Sequence, residues 1–153
     1  MSETNTIPSF GAMLRGALGD AIVAEAEENF LEMCDENIVF QFPFSPQGSV
    51  RELRGRDAMA AYLPKAGRLI NFESMSKAVA HKAIDGETFV LEFSCKGTGA
   101  VTGERYDQDY ISVIKIKNGH IVHYRDYWNP MVLLNAVGGI ENLTSKLEEF
   151  LDD

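Results

Sequence analysis

The chain has 153 residues, the size of one domain, and a domain of this length buries roughly 70% of the surface that its unfolded chain exposes. Its composition is ordinary for a globular protein, with 45% hydrophobic, 10% aromatic and 24% charged residues, which excludes disordered and fibrous classes. Fourteen basic and 23 acidic residues give a net charge of -9. Such a charge repels a phosphate backbone, so nucleic acid is not expected as a partner.

The two cysteines, Cys34 and Cys95, lie far apart, and this spacing suggests neither a disulfide framework nor a four-ligand zinc site. The chain does not begin with a basic and then apolar segment, and no apolar run approaches the roughly 18 residues of a membrane span. We therefore expect a cytoplasmic protein without membrane association. Residues 1–9 are expected to form a flexible tail and residues 10–153 a single domain.

The first third of the chain is predicted to be helical. Good helix formers prevail from Gly11 to Asp35, and Gly19 is expected to divide the region into two helices, with Asp20 as the N-cap of the second. The apolar residues recur at helical spacing and predict the buried side. They are Ile22, Val23, Ala26, Phe30 and Met33.

The next segment changes to a period of two, which predicts a strand with one aromatic face. The residues of that face are Ile38, Phe40, Phe42 and Phe44. Asp57 is predicted to cap a helix over residues 58–68, which Pro64 would kink or end early. Tyr62 falls in the middle of that helix.

The second half is predicted to be a curved sheet of long strands followed by helices. Asp85-Gly86 and Asn118-Gly119 each indicate a two-residue hairpin turn, because such a turn needs positive φ at both positions. The alternating runs around them predict antiparallel strands over residues 72–84, 87–97, 104–117 and 120–128. Helices before and after such a sheet predict an α+β fold, with the helices packed on one face of the sheet.

The junction after the last strand carries clear helix signals. Asn129 is a good N-cap, and Pro130 suits the first helical position, where its missing N–H costs nothing. Gly138-Gly139 is expected to end this short helix, and an apolar stripe predicts one more helix after it.

Several motifs favour a structural explanation over a functional one. Gly97-Thr98-Gly99 weakly resembles a phosphate-binding loop, but it joins two strands, so a flexible hairpin tip is favoured. His120 and His123 point to opposite faces of a strand and do not predict a metal site. The basic residues between positions 51 and 68 are interpreted as solvated ion pairs rather than as a rim that recognises anions. No metal and no cofactor are expected.

Asp107 and Asp109 share one face of their strand with two lysines, which favours solvated charge over an acid/base pair. Tyr106, Gln108 and Tyr110 share the other face, which becomes apolar further along the strand. Polar groups that meet apolar ones in this way are typical of a small-molecule pocket.

In the final strand Val122, Tyr124, Asp126 and Trp128 are predicted to face inward. Asp126 would then be an acid in an apolar cavity, where desolvation raises a carboxyl pKa and makes the group a candidate proton carrier near neutral pH. The alternative is that Asp126 braces the start of the following helix.

The element order, together with the signature NGHIVHYRDYWNPMVLLNAVGG, resembles the nuclear transport factor two-like (cystatin-like) superfamily over residues 10–138. Within it the signature is similar to SnoaL-like, ketosteroid-isomerase-related proteins and to phenazine-biosynthesis proteins. The resemblance implies a cone-shaped curved antiparallel β-sheet with N-terminal helices packed into its concave face. It also implies a cavity for small hydrophobic molecules and a homodimer formed through the outer face of the sheet.

Residue by residue the resemblance is partial. Asp126 matches a cavity acid of the phenazine branch, but a cavity histidine of that branch falls at Tyr62. The base and the protonated acid of steroid isomerases fall near Phe42 and Ser112, so that mechanism cannot run here with those groups.

We therefore expect a small-molecule enzyme of the isomerase or cyclase type that acts without a cofactor on a cyclic or carbonyl-containing substrate. Asp126 would carry the proton, and Tyr62, Tyr110 or Gln108 would bind the developing oxyanion. The alternative is a non-catalytic ligand-binding or dimerisation domain of the same fold. The expected walls of the cavity are Phe40, Phe42, Phe93 and Trp128.

Overall fold

A computed structural model describes residues 10–151, so the tail predicted for residues 1–9 lies outside the described residues. Five α-helices and seven β-strands occur in the described chain. The helices are α1 (Phe10–Leu18), α2 (Phe30–Met33), α3 (Arg56–Gly67), α4 (Pro130–Val137) and α5 (Ile140–Leu151). The strands are β1 (Cys34–Gln41), β2 (Glu52–Arg54), β3 (Ile70–Met75), β4 (Val79–Lys82), β5 (Thr88–Gly99), β6 (Gln108–Lys117) and β7 (His120–Trp128).

The strands form one curved, open sheet in the order β2-β1-β7-β6-β5-β3, and β4 also pairs with β5. All pairs are antiparallel except β1 with β7, which is parallel. The N-terminal helices cover the inner face, where the Phe30 ring lies edge-on to Phe40 and Tyr124, with ring centroids 6.2 and 5.8 Å away. The predicted α+β fold is confirmed, and the parallel pair is an addition to it.

The helical region before β1 differs from the prediction. Residues 20–35 do not form one helix; two 3-10 turns, Gly19–Ala21 and Ala24–Ala26, precede the short α2. Asp20 does not act as an N-cap, and the cap of α2 is Asn29, whose side chain accepts from the Glu32 N–H. The apolar residues at helical spacing are nevertheless buried, apart from the half-buried Val23, because the turns keep them on the core side.

Arg15 supplies hydrogen bonds to the backbone carbonyls of this irregular segment. Its guanidinium donates hydrogen bonds to carbonyl oxygens across the segment, including those of Val23 and Glu27 at 2.8 Å each. The Val23 N–H in turn donates to the Gly119 carbonyl at 2.9 Å and fixes the segment to the β6–β7 turn. Carbonyls that a regular helix would pair internally are therefore bonded to a side chain instead.

One of the two predicted hairpin turns is confirmed. Asn118 and Gly119 have φ angles of 52° and 79°, as a two-residue turn between β6 and β7 requires. Asp85-Gly86 instead lies in a longer connection between β4 and β5, and only Gly86 has positive φ. The strand predicted over residues 72–84 is split into β3 and β4, which both pair with β5.

One helix signal before β3, the expected cap at Asp57, was also misread, whereas the predicted extent over residues 58–68 agrees with α3. Asp57 is not an N-cap: α3 begins at Arg56, and the capping position is Gly55, which has no side chain to donate or accept. Asp57 lies in the first turn instead, where a carboxylate suits the positive end of the helix. The helix continues through Pro64 to Gly67 rather than ending early.

The junction from β7 to α4 follows the prediction. The Asn129 side chain accepts from the Met131 N–H at 2.9 Å, Pro130 begins the helix, and Gly138 ends it in the left-handed conformation. Among the described residues, no helix is long and apolar enough to cross a membrane.

Candidate active site

The inner face of the sheet changes from apolar to polar along three rows of paired residues. The first row, Phe40, Tyr124, Ile114 and Phe89, crosses β1, β7, β6 and β5. The second row is Asp126, Ser112 and Leu91, and the third is Trp128, Tyr110 and Phe93. Asp126 is therefore one row away from Tyr110 on the neighbouring strand, on the same face.

A pocket of about 150 Å³ lies over the second and third rows, between the sheet and α1, α3, α4 and α5. Its aromatic lining is Phe10, Phe30, Phe40, Phe42, Phe72, Phe93, Tyr62, Tyr106, Tyr110 and Trp128. The other described lining residues are Ser45, Ser49, Val50, Leu63, Ala66, Gly67, Leu69, Ile70, Met75, Asp126, Leu133 and Leu143.

Asp126 is the only described lining residue with an acidic or basic side chain. Burial raises the pKa of its carboxyl from 3.8 to about 7, although hydrogen bonds from Trp128 and Ser112 act in the opposite direction. The Ser112 hydroxyl is also within 2.7 Å of the Tyr124 hydroxyl. A carboxyl with this pKa exists in both protonation states near neutral pH, as a group that both takes and returns a proton must.

Tyr106 and Tyr110 place a pair of hydroxyl groups in the pocket. The two hydroxyl oxygens are 2.8 Å apart, and the Cys95 thiol donates to the Tyr110 hydroxyl over 3.7 Å. Burial raises the pKa of both tyrosines above the ordinary value, so both remain protonated donors at neutral pH. Linked hydroxyls of this kind can bind a carbonyl oxygen or an oxyanion.

Tyr62 reaches the pocket from α3, on the side opposite the sheet. Its ring centroid is 6.1 Å from that of Phe42, and burial raises the pKa of its hydroxyl to about 12. It is therefore a third protonated hydroxyl in the lining, brought close to the sheet by packing between helix and strand.

Gln108 is placed differently from the prediction. It is buried but does not line the pocket, because both ends of its amide are bonded to the backbone of Asn129. Its Nε2 donates to the Asn129 carbonyl and its Oε1 accepts from the Asn129 N–H, each at 2.9 Å. Gln108 thus joins the start of β6 to the cap of α4, and we do not include it among the ligand-binding residues proposed below.

Replacing Gln108 with leucine is expected to lower the free energy of unfolding by about 2 kcal/mol, because two backbone groups of Asn129 lose their partner. Chemical denaturation measures the loss. A Gln41→Leu variant, at a half-buried amide whose two partners are the side chains of Glu52 and His123 rather than backbone groups, is the control and should change the stability by less. Equal effects of the two substitutions would contradict the role assigned to Gln108.

The other predicted site residues converge on the pocket. Asp126, Tyr62 and Tyr110 line it, as do the predicted wall residues Phe40, Phe42, Phe93 and Trp128. Phe44, which the sequence pattern placed on the same face as Phe42, does not line it. The strand ends at Gln41 and the chain turns, so Phe44 is 57% exposed and packs against Tyr127.

Sequence reasoning missed three contributions to the site. Tyr106 was predicted to share the pocket face with Tyr110 but was not named as a site residue. Ser112 could not be assigned to Asp126 without the register of β6 and β7. The hydroxyls of Ser45 and Ser49 are hydrogen bonded to each other in the loop that follows β1, and no periodic pattern points to them.

The motifs interpreted as structural lie away from the pocket. Gly97-Thr98-Gly99 is not a hairpin tip: it forms the end of β5, with Gly97 and Gly99 buried. Asp107 and Asp109 are exposed. Arg51 and Arg56 donate to backbone carbonyls, whereas Arg54 pairs with Glu52. No group of three or more metal-ligating side chains occurs in the part of the chain that the structure describes.

The sheet is curved and covered by helices, and its inner face carries a pocket. The SnoaL-like domain family matches residues 17–124, and the chain belongs to this family. The uncharacterized protein YesE of Bacillus subtilis (strain 168) is 40% identical over 112 residues, which cover 73% of this chain and 76% of that protein. A PhzA/B-like protein of Pseudomonas aeruginosa is 32% identical over 103 residues, or 67% and 72% of the two chains.

Solved structures agree with this assignment. A proposed isomerase from Bacillus subtilis is 34% identical with a TM-score of 0.71, covering 92% of this chain and 98% of that chain. A phenazine biosynthesis-related protein from Pseudomonas aeruginosa is 16% identical, with a TM-score of 0.64 and coverage of 85% and 88%. At that identity the likeness concerns the fold alone.

Proposed function

We propose that the protein is a small-molecule isomerase or cyclase that moves a proton on a cyclic, carbonyl-containing substrate. The observation that carries the proposal is the position of Asp126. It is the one acidic or basic side chain among the described lining residues, and it is one row away from Tyr110, whose hydroxyl is 2.8 Å from that of Tyr106.

In this proposal Asp126 removes a proton from a carbon next to the carbonyl group and returns it at another position. Tyr110, supported by Tyr106, donates a hydrogen bond to the oxygen as negative charge develops there, and Tyr62 can donate from the opposite wall. Phe40, Phe42, Phe93 and Trp128 hold the ring and exclude water. These steps are acid/base chemistry and require neither a metal nor an organic cofactor.

The size of the pocket limits the substrate. Its volume of about 150 Å³ equals that of a cavity that holds a benzene molecule. A molecule of about one six-membered ring therefore fits without any rearrangement. We accordingly propose a monocyclic substrate.

Solvent exchange tests the proposal without requiring that the product be identified. Monocyclic ketones are incubated with the protein in D₂O, and loss of the proton next to the carbonyl is followed by NMR. We expect exchange with the wild type and at least about a 100-fold slower rate with Asp126→Asn, which cannot accept the proton. Asp109→Asn, which removes an exposed carboxylate, should keep the wild-type rate.

The second candidate function is ligand binding without catalysis. It is favoured by the hydrogen bonds that Ser112 and Trp128 give to Asp126, since these would also suit a carboxyl that only braces the pocket wall. Exchange at equal rates in the wild type and in Asp126→Asn, or no exchange above background with any ketone, would contradict the catalytic proposal. Either result would favour ligand binding without catalysis.

A homodimer through the outer face of the sheet and a cytoplasmic location remain proposals. Ile111, on the outer face of β6, is 45% exposed, and the half-buried Val113 lies two residues along the same face. An exposed apolar residue with an apolar neighbour on this face supports a contact with a second copy.

A further inference from the structure

The pocket contains a carboxyl group that has no cationic partner among the described lining residues. Asp126 has two neutral hydrogen-bond donors, Ser112 and Trp128, and none of the described lining residues is lysine, arginine or histidine. A buried carboxylate without a positive partner is costly, because neutral donors compensate for only part of the lost hydration. A ligand that supplies the positive charge would remove this cost.

The walls around the carboxyl also suit a cation. Ten of the described lining residues are aromatic, and an aromatic ring attracts a positive charge through the negative electrostatic potential of its face. The net charge of -9 on the whole chain acts in the same direction by raising the local concentration of small cations.

An anionic ligand fits this pocket poorly. A carboxylate or phosphate would lose its hydration beside Asp126, and the described lining residues offer it only neutral hydroxyl and indole donors. Charge thus distinguishes ligands more strongly here than shape does, because an apolar pocket of this size accepts any molecule of about one ring.

We propose that the ligand of this pocket is a cationic amine, a molecule of about one six-membered ring whose protonated nitrogen pairs with Asp126 inside the aromatic wall. The inference rests on the same pocket as the proposed function and specifies its substrate class: the ring that undergoes proton transfer also carries a basic nitrogen. The ammonium group holds Asp126 in its ionised form, which is the form that accepts a proton.

Three probes of nearly equal size and different charge test the inference: benzylamine, benzyl alcohol and benzoate. Trp128 is the single tryptophan of the chain and lines the pocket, so its fluorescence reports binding without any turnover. At neutral pH we expect benzylamine to bind about tenfold more tightly than benzyl alcohol, as a charge-assisted hydrogen bond allows, and benzoate to bind most weakly.

Asp126→Asn should remove the preference for benzylamine over benzyl alcohol, while Asp109→Asn, which removes one negative charge from the surface, should keep it. Benzyl alcohol or benzoate binding as tightly as benzylamine to the wild type would overturn the inference, and so would an absence of benzylamine binding. A preference that persists in Asp126→Asn would overturn it as well. Ketone exchange that depends on Asp126, without any preference for the amine, would leave the proposed function standing and reject only the cationic ligand.

Discussion

An Asp126→Asn variant is expected to be more stable than the wild type at alkaline pH. The folded protein holds the Asp126 proton up to a pKa of about 7, whereas the unfolded chain releases it near 3.8. Between these values the folded state binds more protons than the unfolded state, so the stability of the wild type falls as the pH rises through this window. Asparagine does not ionise and has no such dependence.

The size of the stability difference follows from the shift in the pKa of Asp126. A shift from 3.8 to about 7 corresponds to at most about 4 kcal/mol, of which about 3 kcal/mol falls between about pH 4.5 and pH 8. Asparagine also resembles the protonated acid in shape and keeps an oxygen that accepts from Ser112 and Trp128. The variant should therefore fold normally and gain stability over the wild type as the pH increases.

Chemical denaturation of both proteins at several pH values measures the difference, and comparing the two cancels the titration of every other group. Asp109→Asn is the control for the loss of one negative charge from an exposed position. A difference between wild type and Asp126→Asn that stays constant across the pH range, or that decreases with rising pH, would contradict the burial of Asp126 in the pocket.

This expected gain in stability bears on function. A carboxyl that costs stability whenever it is ionised is a poor choice for a purely structural brace, since an amide could make similar hydrogen bonds without the cost. Proteins keep such groups mainly where an ionisable side chain performs a task, and selection accepts the lost stability there. Proton exchange and ligand binding depend on that task directly, whereas the pH dependence of unfolding measures the cost of ionising Asp126.

The position of Asp126 in the pocket lining could be predicted because a single parity rule sufficed, whereas its catalytic role stays a prediction. The alternation of Tyr124, Asp126 and Trp128 places three side chains on one face: Tyr124 is buried, and the half-buried Asp126 and Trp128 line the pocket. The same rule failed at Val122, which is only half-buried, whereas Ile121 is fully buried. The pairing of β6 and β7 shifts by one residue there, and such a bulge reverses the parity of every residue on one side of it.

Because of the bulge, the sequence did not predict Ser112 as the partner of Asp126. A two-residue turn at Asn118-Gly119 and a regular ladder would place Arg125 opposite Ser112, but the shift places Asp126 there instead. No residue in the sequence marks the shift, since bulges depend on the packing of neighbouring strands. The identity of the acid was therefore predictable, but the hydroxyl that binds it was not.

The remaining errors have related causes. Gln108 has the parity of a pocket residue, but the start of α4 approaches it and occupies its amide, which is a tertiary contact that no local pattern predicts. In the N-terminal region the predicted burial pattern is observed but the predicted second helix is not, because Arg15 satisfies the carbonyls of two 3-10 turns equally well. Periodicity predicts which side chains are buried more reliably than it predicts the backbone that buries them.

A Gly99→Ala variant is expected to lose about 3 kcal/mol of stability, because the new methyl group has no room. Gly99 ends β5 where α4 crosses it, and a Cβ at this position would overlap the Ala136 carbonyl oxygen and come within 2.7 Å of the Thr102 hydroxyl. The contact partner is backbone, which cannot rotate away. α4 must therefore move, and it carries Leu133 of the pocket wall.

The Gly99→Ala substitution should weaken ligand binding in the pocket as well as lower the stability. An ordinary core defect would lower the stability alone. Urea denaturation gives the loss of stability, and Trp128 fluorescence with benzyl alcohol gives the affinity of the part that remains folded, which we expect to be reduced. Gly16→Ala is the matched control: Gly16 is exposed in α1, has no atom within 4 Å of the new methyl group, and alanine there should add about 0.5–1 kcal/mol. If Gly99→Ala proved as stable as the wild type, the close contact between β5 and α4 would be wrong, and with it the placement of the helix that closes the pocket.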